Sequence, residues 1–199
     1  MARSLSRYSI IAIVLHWLIA LLIFSNIGLA WTFQNIPQGL TEFRLIQLHK
    51  SIGITVLLLS LLRLAWRLFN PPPPQPPMPR WQTLTSGAVH WGFYLIMIGL
   101  PLSGWIMVSA SPLNIPTLLY GVVPWPHFPA VHALTPGGRK ALGGAMGLTH
   151  ESLAYLAYGL IGLHVAGALK HQLYDRDNLL LRMAPFGGRS GPKEASRAS

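Results

Sequence analysis

The chain has 199 residues, 51% hydrophobic and only 10% charged, with a mean hydropathy of +0.43. Fifteen Lys and Arg stand against five Asp and Glu, a formal net charge of +10. A soluble domain carries about 25% charged residues, so the composition excludes an ordinary water-soluble globule and suits a bilayer, where charge is costly; the lack of cysteine excludes disulfides, thiol catalysis and cysteine-ligated clusters.

A helix needs about 20 residues to cross about 30 Å of hydrocarbon. The N-terminus, MARSLSRYS, is basic and leads into an apolar run that reaches Trp31. That run is too long for the h-region of a signal peptide and is read as a retained first span, residues 9–31. Residues 32–45 form a short polar link. The second span is 46–67, ending in Arg63 and Arg67. Residues 70–80, NPPPPQPPMPR, predict an extended, stiff connection. The third span is 83–109 with Pro101 inside it as a kink. A long loop, 110–148, follows; its VVPWPHFP segment suits a membrane interface, and its Gly-rich end, Gly143 to Gly147, precedes the fourth span at 149–172. The tail, 185–199, is polar and reads as disordered. The expectation is an all-α integral membrane four-helix bundle over residues 1–184.

Basic residues flank the apolar runs, so headgroups and topology explain them better than nucleic acid does. Arg3, Arg7, Arg63, Arg67, Arg80, Lys170, Arg176 and Arg182 fall on one side, and Arg44, Lys50, Arg139 and Lys140 on the other. The bias predicts both termini in the cytoplasm.

Eight histidines occur: His16, His49, His90, His127, His132, His150, His164 and His171. A single histidine in a span is usually a satisfied core residue, but four at matched depths are a different observation. His16 lies about 10 Å, and His164 about 12 Å, below the same inner surface at 1.5 Å per residue. His49 and His150 lie near the outer starts of spans two and four. His150 and His164 are fourteen residues apart, so they stand about 21 Å apart along one helical face. Span four can thus pair with His16 near the inner side and with His49 near the outer side. Two imidazoles in trans are the axial set of a low-spin b-type haem, a flat apolar group that fits between bundle helices. Gly53, Gly162 and Gly167 lie near these histidines and leave room, though close helix packing explains them equally. Arg63, Arg67 and Lys50 sit where haem propionates would point. His90 opens the third span as a polar cap, a substitute ligand or part of a quinone site. His171 sits at headgroup level, and His127 and His132 are expected to face solvent.

These residues carry a resemblance. LHW at 15–17, LHKSIG at 48–53, RLAWR at 63–67, GLPLSGW at 99–105, THESLAY at 149–155 and GLHVAGALKHQLYDRDNLLLRMAP at 162–185 are similar to the bacterial cytochrome b561 family, which is related to the cytochrome b subunits of nickel–iron hydrogenases. The resemblance implies an inner-membrane four-helix bundle with two haem b. Its ligand positions fall on His16 and His164 for an inner haem and on His49 and His150 for an outer haem. It further implies electron exchange with ubiquinone. In some members an outer-side donor, superoxide, is oxidised. The outer loop departs most from the family. A superoxide:ubiquinone oxidoreductase, a plain electron carrier, and a membrane electron-transfer subunit for a separate hydrogenase or dehydrogenase are all compatible with the chain. A histidine-lined metal or proton transporter needs carboxylates in the spans, and only Glu151 lies beside a candidate ligand.

Overall fold

The computed structural model describes residues 7–74, 78–176 and 179–185. Beyond Pro185, the tail expected to be disordered lies outside the described residues, as does the middle of the polyproline link.

Helix α1, Ile10–Gln34, begins where Ser9 Oγ accepts the Ala12 N–H at 3.3 Å, satisfying one free donor of the first turn. The same oxygen accepts from Trp66 Nε1 at 3.1 Å, which ties the start of α1 to the far end of α2. Helix α2, Leu40–Phe69, has Glu42 in its first turn, whose carboxylate accepts the Gly39 N–H at 3.3 Å. It stops at Asn70, before a run of prolines that cannot donate and that bar the preceding residue from helix. Helix α3 spans Arg80–Ala110 with Pro101 inside.

The segment expected to be a long loop is shorter and ordered. It holds an antiparallel hairpin, β1 (Thr117–Leu119) and β2 (Val123–Trp125), and a short helix α4 (Pro129–His132). Helix α5 begins at Pro136, thirteen residues before the expected start of the fourth span, and runs to Lys170. Thr135 Oγ1 caps it through the Gly138 N–H at 3.2 Å, and Pro136 occupies the first helical position. The glycines that dilute hydropathy here lie inside the helix, and two of them lie against α3. A Cβ on Gly143 would stand 3.4 Å from Ala110 Cβ, and one on Gly147 would stand 3.6 Å from Met107 Sδ. A π-helical turn, His171–Asp175, and a 3-10 turn, Leu179–Arg182, complete the chain.

Helices α1, α2, α3 and α5 are long and apolar enough to cross a membrane. The buried cluster Ile19, Ile52, Val56, Tyr94 and Met97 belongs to α1, α2 and α3. Helix α5 packs closely along α3, as α1 does along α2, but has no comparable backbone packing with α1 or α2. Only Ala157 of α5 is buried. A gap therefore separates α5 from α1 and α2.

Both described ends of the chain meet at one end of the bundle, called here the inner end. Arg7 donates to Ala184 O at 2.6 Å, Trp17 Nε1 to Met183 O at 2.7 Å, and the Tyr8 N–H to Arg182 O at 3.3 Å. Arg182, 4% exposed, donates to Pro74 O at 3.0 Å and lies over the Tyr8 ring. The last turn thus clamps the first turn and the proline link together.

Candidate functional site

Two pairs of imidazoles project into the gap beside α5. His16 of α1 and His164 of α5 have ring centres 6.2 Å apart at an interplanar angle of 72°. His49 of α2 and His150 of α5 have ring centres 6.3 Å apart at 70°. An imidazole nitrogen binds a transition metal at about 2 Å, and with about 1 Å from nitrogen to ring centre at each end, two rings sharing one ion stand about 6 Å apart. Both pairs have that separation.

Hydrogen bonds fix the ring orientations, as is usual for metal-ligating histidines. His49 Nδ1 faces Asn26 O at 3.2 Å, and His150 Nδ1 faces Leu100 O at 2.9 Å and Ser103 Oγ at 3.2 Å. A carbonyl only accepts, so Nδ1 carries the proton in both rings and Nε2 keeps its lone pair. His16 differs: Arg63 donates to its Nδ1 at 2.9 Å, and a guanidinium has no acceptor. Arg63 also lies beside Tyr94. Arg67 lies over the rings of Trp91 and Tyr94, at 5.6 Å and 5.7 Å.

Aromatic neighbours line the pairs, among them Phe33 and Phe93, which the sequence did not single out. Phe93 and His90 flank His164, with centres 5.4 Å and 5.6 Å away. Phe33 stands 5.4 Å from His49, and Trp17 5.4 Å from His16. The signal available was the three-residue spacing of His90 and Phe93, which shares one helical face. His90 is not a helix cap. It lies ten residues past the start of α3, and its Nδ1 bonds Ser86 O at 2.7 Å. Gly104 leaves space for the His150 ring, since a Cβ there would meet Cε1 at 3.0 Å and Nδ1 at 3.1 Å and the ring would have to give way. His171 pairs with Asp175 at 3.1 Å, and Lys170 with the same carboxylate at 2.6 Å. Among the described residues no three of His, Asp and Glu gather around a point that could hold a metal ion. What the gap offers is two pairs of neighbouring imidazole rings.

At the outer end, the basic residues divide. Lys50 and Arg139 lie near His127, whose ring centre is 5.6 Å from His132. His127 does not simply face solvent: its Nε2 is buried without a hydrogen-bond partner among the described residues, as are Trp125 Nε1 and Arg139 Nε. Burial foremost, then His132, Lys50 and Arg139, hold the His127 pKa below the ordinary imidazole value against a hydrogen bond to the Ile115 backbone. His127 therefore stays neutral to lower pH than a free imidazole does. Arg44 lies elsewhere, beside the hairpin on a different face of α2 from His49. Lys140 is exposed.

Comparison with known proteins places this geometry in context. Residues 7–186 match the family model of prokaryotic cytochrome b561. Cytochrome b561 homolog 2 of Escherichia coli is 31% identical over 179 residues, covering 89% of this chain and 90% of that protein. The probable superoxide oxidase CybB of Yersinia pestis is 30% identical over 184 residues, 90% of this chain and 96% of that protein. Cytochrome b561 homolog 1 of Escherichia coli is 30% identical over 184 residues, 91% and 98%.

Proposed function

The chain belongs to the prokaryotic cytochrome b561 family, and on that premise we propose that it holds two haem b and carries electrons from an outer-side donor to ubiquinone. We further assign the donor as superoxide, which makes the protein a superoxide:ubiquinone oxidoreductase of the bacterial inner membrane with both termini in the cytoplasm. The observation that carries the reading is the pair of imidazole separations, 6.2 Å and 6.3 Å, each fit for one iron.

His16 and His164 would hold the inner haem, and His49 and His150 the outer one. Bound there, each supplies one-electron redox chemistry at its iron. The chain's own work is positional. Asn26 O and Leu100 O fix the outer rings with Nε2 free. Phe33, Phe93 and Trp17 wall the gap against water. At the inner pair, ligation through His16 Nε2 requires a proton on Nδ1, which Arg63 cannot face. Arg63, half-buried, would then be released from His16 and could pair with a propionate. Replacing Arg63 with Gln should loosen the inner haem and leave the outer one in place, seen as partial haem loss on dilution. Uniform retention of both haems would argue against that role.

Superoxide suits the outer end because Lys50 and Arg139 gather beside His127 and give this end positive charge. Each superoxide gives one electron and leaves as dioxygen; ubiquinone takes two electrons and two protons to become ubiquinol. Reduction of the protein by superoxide should slow severalfold as salt rises from about 0.01 M to 0.5 M, because the Debye length shrinks. Arg139→Gln should slow it at low salt and flatten the dependence. A rate indifferent to salt in the native protein contradicts superoxide attraction at this end, and so assigns another donor.

A further inference from the structure

A second built pocket lies on the outer half of α2, away from both histidine pairs. Its volume is about 510 Å³. The hairpin forms one wall and α2 the other. Phe43 and Leu48 of α2 face Ile115 and Leu118 of the hairpin segment, with Arg44 and Gln47 as the polar members.

The hairpin is fastened to α2 at three levels. Gln47 Nε2 donates to Pro116 O at 3.1 Å, the Tyr120 N–H to Ser51 Oγ at 3.0 Å, and the Tyr120 hydroxyl bonds Thr55 Oγ1 at 2.7 Å. Tyr120 takes a left-handed backbone (φ 53°) and Gly121 follows it (φ 76°), so the turn is held in a conformation that a bulky residue adopts only at some cost. Because these anchors run from Gln47 to Thr55, the hairpin lies along a membrane-spanning helix at the depth of headgroups and upper acyl chains. Its free surface agrees: Leu113 and Val122 are 74% and 79% exposed, and Val123 is also exposed. An apolar surface of this kind on a connecting segment marks contact with lipid.

Two groups in the pocket state what its occupant must carry. Arg44, exposed near the start of α2, offers a cation. Gln47 Oε1 is buried without a hydrogen-bond partner among the described residues, and because the amide nitrogen is committed to Pro116, this end is an acceptor. A buried acceptor left unmade is costly. We propose that the pocket binds one outer-leaflet glycerophospholipid: an acyl chain between α2 and the hairpin, the phosphate on Arg44, and a headgroup N–H or O–H donated to Gln47 Oε1. The chemistry specifies a headgroup with a donor, such as ethanolamine or glycerol, over choline, which has none.

Native mass spectrometry of the delipidated full-length protein, titrated with phosphatidylethanolamine, phosphatidylglycerol or phosphatidylcholine of identical acyl chains, tests this. In the native chain the first two should bind one molecule about fivefold more tightly than the third, the worth of one hydrogen bond. Arg44→Gln should weaken all three about tenfold, as loss of a charge-assisted contact does. Gln47→Leu should erase the headgroup preference and keep phosphatidylcholine binding. Lys140→Gln, an exposed cation of the same side, should change neither. Equal binding of the three lipids by the native chain overturns the proposal whatever the variants do. So does unchanged binding in Arg44→Gln at native helix content, or specific displacement of the lipid by ubiquinone.

Discussion

His164→Ala is expected to halve the haem content, leaving one haem b per chain with the outer site intact. The ring of His164 is the α5 half of the inner pair, and truncation removes one of two axial nitrogens at a site whose other ring, His16, stands 6.2 Å away. His49 and His150 lie at the other level of α5, fourteen residues or about 21 Å along the axis, so their pair is undisturbed. His90 borders His164 at 5.6 Å from a third helix, α3, where its Nδ1 is committed to Ser86 O. His90→Ala should accordingly keep both haems. The measurement is a haem assay against protein, with reduced-minus-oxidised spectra of each variant. Two haems in His164→Ala, or one in His90→Ala, would reassign the inner ligand.

The second large effect comes from a residue that touches no iron. Gly104→Val is expected to lose the outer haem and retain the inner one. A Cβ at this position lies 3.0 Å from His150 Cε1 and 3.1 Å from Nδ1. The ring must move, and it breaks its bonds to Leu100 O and Ser103 Oγ when it does. Overpacking of this kind costs about 1–3 kcal/mol, enough to lower the unfolding temperature as well. Ser103→Ala removes only the weaker of the two ring bonds and should keep both haems. A Gly104→Val protein with full haem content and an unshifted outer potential would show that His150 is not held against this face of α3.

Much of this architecture is written in the sequence, and the parts that are not have physical reasons. The apolar runs and their lengths give four spans, because hydrocarbon demands about 20 residues in each. The depths of His16, His49, His150 and His164 follow from a rise of 1.5 Å per residue, and the structure brings these rings together in the same pairs. The early start of α5 was hidden because Gly143, Gly144 and Gly147 lower both hydropathy and helix propensity; the packing of α5 along α3, with Gly143 beside Ala110 and Gly147 beside Met107, overrides that local preference. The hairpin was hidden because its strands have three residues each and its anchors, Ser51 and Thr55, are inconspicuous polar residues within an apolar span. Proton placement on His16 was hidden too, since it depends on Arg63, which lies 47 residues away in sequence.

That asymmetry bears on function. The outer rings already have Nδ1 committed to backbone carbonyls, so that site is preorganised. The inner ring His16 is held by a cation that must let go. On this account the outer site is the tighter of the two, and partial haem loss should strike the inner site first.

The most direct test is the haem stoichiometry of the native full-length chain, taken from the pyridine haemochrome and a reduced-minus-oxidised spectrum on a correctly folded preparation. The account requires two haem b per polypeptide with bis-imidazole, low-spin bands. A colourless protein of full helix content, or one that saturates at a single haem, contradicts it.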